Sequence, residues 1–126
     1  MAPLVQPASL GDVLKYEVNP NYTRETITLL AGVAYPVGSV LGRITASGKF
    51  TLASDGGVDG AEVAAALLLY SVDAMLADTL GVVIVRGPAI ISPANLTFDA
   101  SVDDATKTAT KIAELAALGI IARNAA

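Results

Sequence analysis

Residues 40–68 read VLGRITASGKFTLASDGGVDGAEVAAALL, and the kind of fold depends on how they are interpreted. A lysine follows a glycine, two aspartates lie in a glycine-rich stretch, and a long apolar run closes the segment. It could be a phosphate loop, a calcium loop, or a set of turns between strands. A Walker-type phosphate loop needs G-x-x-x-x-G-K-[ST], so that backbone amides curl around the phosphate. From Gly42 to Gly48 there is one residue too many, and Phe50 stands where a hydroxyl should reach magnesium. A calcium loop starts better, with Asp55, Asp59 and Gly60 at matching positions. Gly57 then replaces an oxygen ligand and Ala66 the bidentate glutamate, and two carboxylates cannot fill about six to eight oxygen positions. The segment is read as a hairpin over residues 40–52 that turns at Ala46-Ser47-Gly48. A solvated turn follows. The apolar run from Ala61 to Tyr70 suits a helix or a buried strand equally well.

The same logic extends in both directions. Upstream, Tyr35-Pro36-Val37-Gly38 is a turn and residues 26–30 are a strand closed by Ala31-Gly32. In residues 13–18, Leu14, Tyr16 and Val18 alternate with Lys15 and Glu17, which predicts a half-buried strand with those three on one apolar face. Asn19-Pro20-Asn21 stops it. Residues 1–10 show no period and read as a flexible arm. Downstream, residues 80–85 are the clearest buried strand, and Arg86-Gly87-Pro88 turns the chain into Ala89-Ile90-Ile91. One helix is well signalled. Ser101 as N-cap with Asp104 makes a capping box. Val102, Ala105, Ala109, Ile112 and Ala116 form its apolar face, with Lys107 and Lys111 on other faces. Gly119 is a natural residue to end it, and residues 119–122 read as a closing strand. The fold class is mainly β (α+β): a small barrel-like or sandwich domain with one C-terminal helix and a flexible N-terminal arm.

Composition excludes most chemistry. The chain has 126 residues, a net charge of −4, and neither cysteine nor histidine, which removes disulfides, Cys- or His-ligated metal and the usual nucleophile–histidine pairs. Scattered basic residues argue against nucleic acid and anionic membrane as partners. No apolar run reaches membrane-spanning length, and the N-terminal residues carry no signal-peptide pattern. Asp73 and Asp78, and the group Asp99, Asp103 and Asp104, are better explained as surface and capping residues than as a glycosidase pair, since the chain has no tryptophan to hold a sugar. No motif brings a serine and a lysine together. No catalytic, cofactor-binding or metal residues are assigned, and no cofactor is expected. Hydrophobic residues nevertheless make up 53% of the chain, which predicts that apolar surface is hidden against other subunits.

The order of these elements is informative. The succession of Ala31-Gly32, Pro36-Val37-Gly38-Ser39-Val40-Leu41-Gly42-Arg43-Ile44-Thr45, Lys49-Phe50, Asp59-Gly60 with its apolar run, and Val83-Ile84-Val85-Arg86-Gly87 resembles the bacteriophage head decoration protein family of lambda decoration protein D-like proteins. The resemblance covers about residues 24–123. It implies a β-clip fold and a homotrimer, with residues 1–23 as an N-terminal arm and 24–126 as the head-decoration domain. It also implies a structural, non-enzymatic role in the virion. Such trimers cement the expanded head at its three-fold sites on the outer surface of the capsid, opposing the pressure of packaged DNA, after synthesis in the bacterial cytoplasm. The implied partner is the major capsid protein, and the expected contact residues are Leu14, Tyr16 and Val18. A tail or fibre module, or a β-clip trimeric enzyme or ligand-binding module, are the rival readings.

Overall fold

The computed structural model describes residues 10–123. Helical turn α1 (Leu10–Val13) leads into strand β1 (Leu14–Glu17), and turn α2 (Pro20–Thr23), capped by the Asn19 side chain, leads into β2 (Arg24–Leu29). Then come β3 (Ala34–Tyr35), β4 (Val40–Arg43), β5 (Phe50–Leu52), β6 (Ala66–Leu68), β7 (Val72–Asp73), β8 (Thr79–Ile84) and β9 (Ala89–Ile91). A 3-10 turn at Pro93–Asn95, the helix α3 (Ala105–Ala117) and β10 (Ile120–Ala122) complete the order. The protein is therefore mainly β, and the barrel prevails over the sandwich. Strands β2-β5-β4-β6-β8 close on themselves, β1-β9-β10 form a three-stranded sheet, and β3 pairs with β7.

The hairpin read at residues 40–52 is present as β4 and β5, with Leu41 opposite Leu52 and Arg43 opposite Phe50. The ambiguous apolar run resolves as a strand, because Ala66–Leu68 is paired on both sides, by β4 and by β8. Helix would leave two barrel edges open. The apolar runs are continuous because these strands are buried on both faces. Leu41, Ala66, Leu68 and Val83 join Leu29 and Phe50 in a core inside the barrel, to which all five barrel strands contribute. Their neighbours Val40, Leu67 and Ile84 point the other way, into a second core with Val13, Ala89, Ile91, Ile120 and Leu115. Alternation along each strand thus divides one apolar run between two cores.

Close approaches of backbone explain two glycines. A Cβ at Gly42 would lie 2.1 Å from the carbonyl oxygen of Ala61, where the 53–65 connection folds back over β4. At Gly87 it would lie 1.9 Å from the carbonyl oxygen of Gly119. No side chain fits in either place.

The helix departs from expectation at its start and in its phase. Its N-cap is Asp104, whose Oδ1 accepts from the Lys107 amide at 2.7 Å, and not Ser101. Ser101 is committed elsewhere: Oγ donates to Asp99 at 2.6 Å and accepts from the Asp55 amide at 2.8 Å. The side facing the protein is carried by Lys111 and Leu115, while Ala105, Ala109 and Ala116 are exposed. Lys111 is buried because its ammonium donates to the Glu62 carbonyl and pairs with Glu114 at 3.3 Å. Glu114 in turn accepts from the Ala64 amide at 3.0 Å. The helix is pinned to the 53–65 connection by a satisfied charge pair, which an alanine stripe could not supply. Gly119, with φ of 87°, ends it as expected.

Candidate interaction surface

Leu14, Tyr16 and Val18, expected on one face, do not share it. Leu14 pairs with Ile91 and Tyr16 with Ile90, so two residues of β1 oppose one step of β9 across a bulge. Ile91 is wholly buried, and Leu14 opposite it packs against the same core. Beyond the bulge the phase inverts. Tyr16 and Val18 point outward, 51% and 49% exposed, while Glu17 turns inward. No sequence period reports such an inserted residue.

The inward Glu17 has compensating partners. Its carboxylate accepts from Arg24 Nη2 at 2.5 Å, Arg24 Nε at 3.0 Å and Thr23 Oγ1 at 2.5 Å. Burial pushes its pKa up, but the Arg24 and Thr23 hydrogen bonds together outweigh burial and hold it below the ordinary carboxylate value. Arg24, raised by the same bond, also donates to the Tyr70 hydroxyl at 3.2 Å. β1 is thereby tied to β2 and to the residues following β6.

The outward side of this sheet is apolar. Tyr16 opposes Ile90, and Ile90 opposes Ile121 of β10 in parallel register, giving a row across all three strands. Ile121 is 43% exposed and Ile90 half-buried. Val18, whose amide donates to the Pro88 carbonyl at 3.0 Å, extends the patch. β1 lies at an edge of the sheet. An apolar, anchored sheet face next to a strand edge that is unpaired among the described residues can bind protein by shape and by main-chain pairing.

The candidate chemical groups are spread through turns. Asp59 accepts from the Ala61 amide and Glu62 from the Gly60 amide, at 3.0 and 2.8 Å. Asp73 accepts from the Met75 amide at 3.0 Å. Asp78 accepts from the Ala31 amide at 2.8 Å and pairs with Lys49 at 2.5 Å, and the Lys49 bond followed by that of Ala31 lowers its pKa. Asp99 caps the turn at Ser101, and Asp103 pairs with Lys107 at 2.9 Å. Each carboxylate is turned toward local backbone or a neighbouring lysine. Among the described residues, no three His, Cys, Asp or Glu side chains are grouped to hold a metal ion. No described helix is long and apolar enough to cross a membrane.

Comparison with known proteins points the same way as the order of elements. The family model described as bacteriophage lambda head decoration protein D matches residues 3–120. The match includes β1 and its bulge, upstream of where the resemblance in sequence begins. No curated protein matches the chain. The family is one of structural proteins of the phage head and not of enzymes, and its members bind the capsid.

Proposed function

The chain belongs to the bacteriophage lambda head decoration protein D family, and we propose that it cements the expanded head of its phage as homotrimers seated at three-fold sites on the outer capsid surface. Each trimer adds buried interface across the seams between major capsid protein subunits and so opposes the outward pressure of packaged DNA. The observation that carries this reading is the apolar row Tyr16–Ile90–Ile121 with Val18, exposed on a sheet whose other face is locked into the core. Val18 and Tyr16 supply the contact. Leu14 acts from beneath, by fixing the bulge that turns them outward. Main-chain pairing along β1 supplies further affinity, and the side chains set register.

The test uses expanded heads assembled without a decoration protein. Added protein should bind to saturation at three copies per three-fold site and raise the temperature at which the heads lose DNA. Saturating binding with no gain in head stability would remove the cementing role, and binding only to tails or fibres would move the protein elsewhere on the virion.

A further inference from the structure

The 53–65 connection holds two Asp-Gly steps, Asp55-Gly56 and Asp59-Gly60. Such a step is chemically labile. The glycine nitrogen can attack the aspartate Cγ, and no Cβ on the glycine stands in its way. An N–Cγ bond forms, the amide proton and the carboxyl hydroxyl leave as water, and a succinimide ring results. Water then opens the ring. Attack at Cγ restores aspartate, whereas attack at the main-chain carbonyl carbon leaves the chain running through Cγ, as isoaspartate. Water is the only co-reactant, and nothing is oxidised or reduced.

The fold treats the two steps differently. Ring closure requires the peptide plane after the aspartate to turn until its nitrogen faces Cγ, so hydrogen bonds on that plane oppose it. At Asp59-Gly60 the plane is held on both sides. The Asp59 carbonyl accepts from the Thr45 amide at 2.9 Å, and the Gly60 amide donates to Glu62 Oε2 at 2.8 Å. The attacked carboxylate is held as well, since Asp59 Oδ1 accepts from the Ala61 amide at 3.0 Å. Gly60 is also closely packed: a Cβ there would lie 2.2 Å from Thr45 Oγ1. At Asp55-Gly56, no hydrogen bond among the described residues engages the Asp55 carbonyl or the Gly56 amide. Beyond its chain neighbours, Gly56 has no atom within 4 Å of where a Cβ would stand. The Asp55 carboxylate is exposed and lies 3.8 Å from Lys107 Nζ, outside hydrogen-bond reach. Asp55 is anchored on its other side, where its amide donates to Ser101 Oγ at 2.8 Å, and that bond leaves the following peptide free to turn.

We propose that Asp55 is a site of spontaneous isomerisation in the folded protein, and that Asp59, in the same connection, is protected from it by its contacts. Both hydrogen bonds on the Asp59-Gly60 plane must open before that ring can close, and local opening of this kind slows the reaction by about tenfold or more. Isoaspartate keeps the negative charge and adds one carbon to the main chain. The added carbon falls between the Ser101 contact and the Glu62 and Ala64 contacts that hold the connection to α3. The open turn at Gly56 takes it up, so the barrel and the three-stranded sheet keep their structure.

The test holds purified protein for several weeks in near-neutral buffer below its melting transition, beside a sample unfolded in guanidinium chloride. Isoaspartate blocks a protease that cuts before aspartate and accepts a methyl group from isoaspartyl methyltransferase, so each site can be scored by peptide mass spectrometry. The folded chain should accumulate isoaspartate at residue 55 over residue 59 by about tenfold or more, and in denaturant the two should differ by less than about threefold. Asp55→Glu, whose longer side chain must close a larger and slower ring, should abolish the signal at residue 55 with an unchanged melting curve. Equal accumulation at both sites of the folded chain, or more at residue 59, overturns the proposal. So does a folded chain in which residue 55 stays aspartate while the unfolded sample isomerises there. The same preference for residue 55 in denaturant would also overturn it, by assigning the difference to sequence and not to fold.

Discussion

The barrel and the three-stranded sheet are built from the same valines, leucines and isoleucines and use them in opposite ways. In the barrel, every strand is paired on both sides, and both faces of β6, of β4 over residues 40–42 and of β8 over residues 83–84 are buried. In the sheet, only the face with Ala89, Ile91 and Ile120 is buried, and the other offers Tyr16, Val18 and Ile121 to solvent. The difference is one of closure. A closed barrel leaves no edge to pair and no apolar face to cover, whereas an open sheet of three strands leaves both. The barrel is the part that holds the fold, and the sheet is the part that leaves apolar surface uncovered, the surface proposed to meet the capsid.

Stability measurements should separate the two regions most widely. Leu41, wholly buried inside the barrel, should cost about 2–5 kcal/mol when changed to alanine, because the closed wall cannot collapse onto the cavity. Tyr16→Ala and Ile121→Ala should each cost about 1 kcal/mol or less in urea or thermal unfolding, since half of each side chain is already in water. If Tyr16→Ala costs as much as Leu41→Ala, the sheet's outer face is structural and the contrast disappears.

Glu17 lies where the two regions join, and its effect should be next in size. Glu17→Gln weakens hydrogen bonds between charged groups and should cost about 2 kcal/mol. The pH dependence follows from its lowered pKa. Glu17 binds a proton less readily in the folded chain, so its contribution is complete above the unfolded value of about 4.5 and is lost as pH falls through the folded value. Melting curves of wild type and Glu17→Gln should converge below that pH and stay apart above it. A constant difference across the acid range would show that Glu17 gains nothing from its charge.

The helix start should give a smaller effect. Asp104→Ala should cost about 1 kcal/mol through loss of the cap to the Lys107 amide, and Asp104→Asn much less. Circular dichroism melts suffice to read it. An equal loss for both would mean that the charge near the helix dipole matters more than the hydrogen bond.

The parts of the molecule that were legible in the sequence are those governed by local chemistry. The hairpin at residues 40–52 follows from a turn glycine between alternating strands, and Gly48 does take a positive φ of 74°. Gly119 ends the helix for the same reason. What escaped depends on tertiary partners. The inward side of the helix rests on Lys111, which reads as a surface residue until the Glu62 carbonyl and Glu114 are brought against it. Ser101 and Asp104 are both competent caps, and Ser101 is drawn away by Asp99 together with the Asp55 amide, which is distant in sequence. The proposed interaction surface was half legible: Tyr16 and Val18 stand out as apolar residues in the early part of the sequence. The bulge after Leu14, which sends one residue in and two out, is set by register against β9.

The most direct test compares Tyr16→Asp/Val18→Asp with wild type for binding to expanded, undecorated heads at matched concentration, after sedimentation and melting have shown both to be equally assembled and stable. The account predicts that wild type saturates the heads and that the double variant, still folded and assembled, binds at least tenfold more weakly. Full occupancy of the heads by a folded, assembled double variant would contradict it.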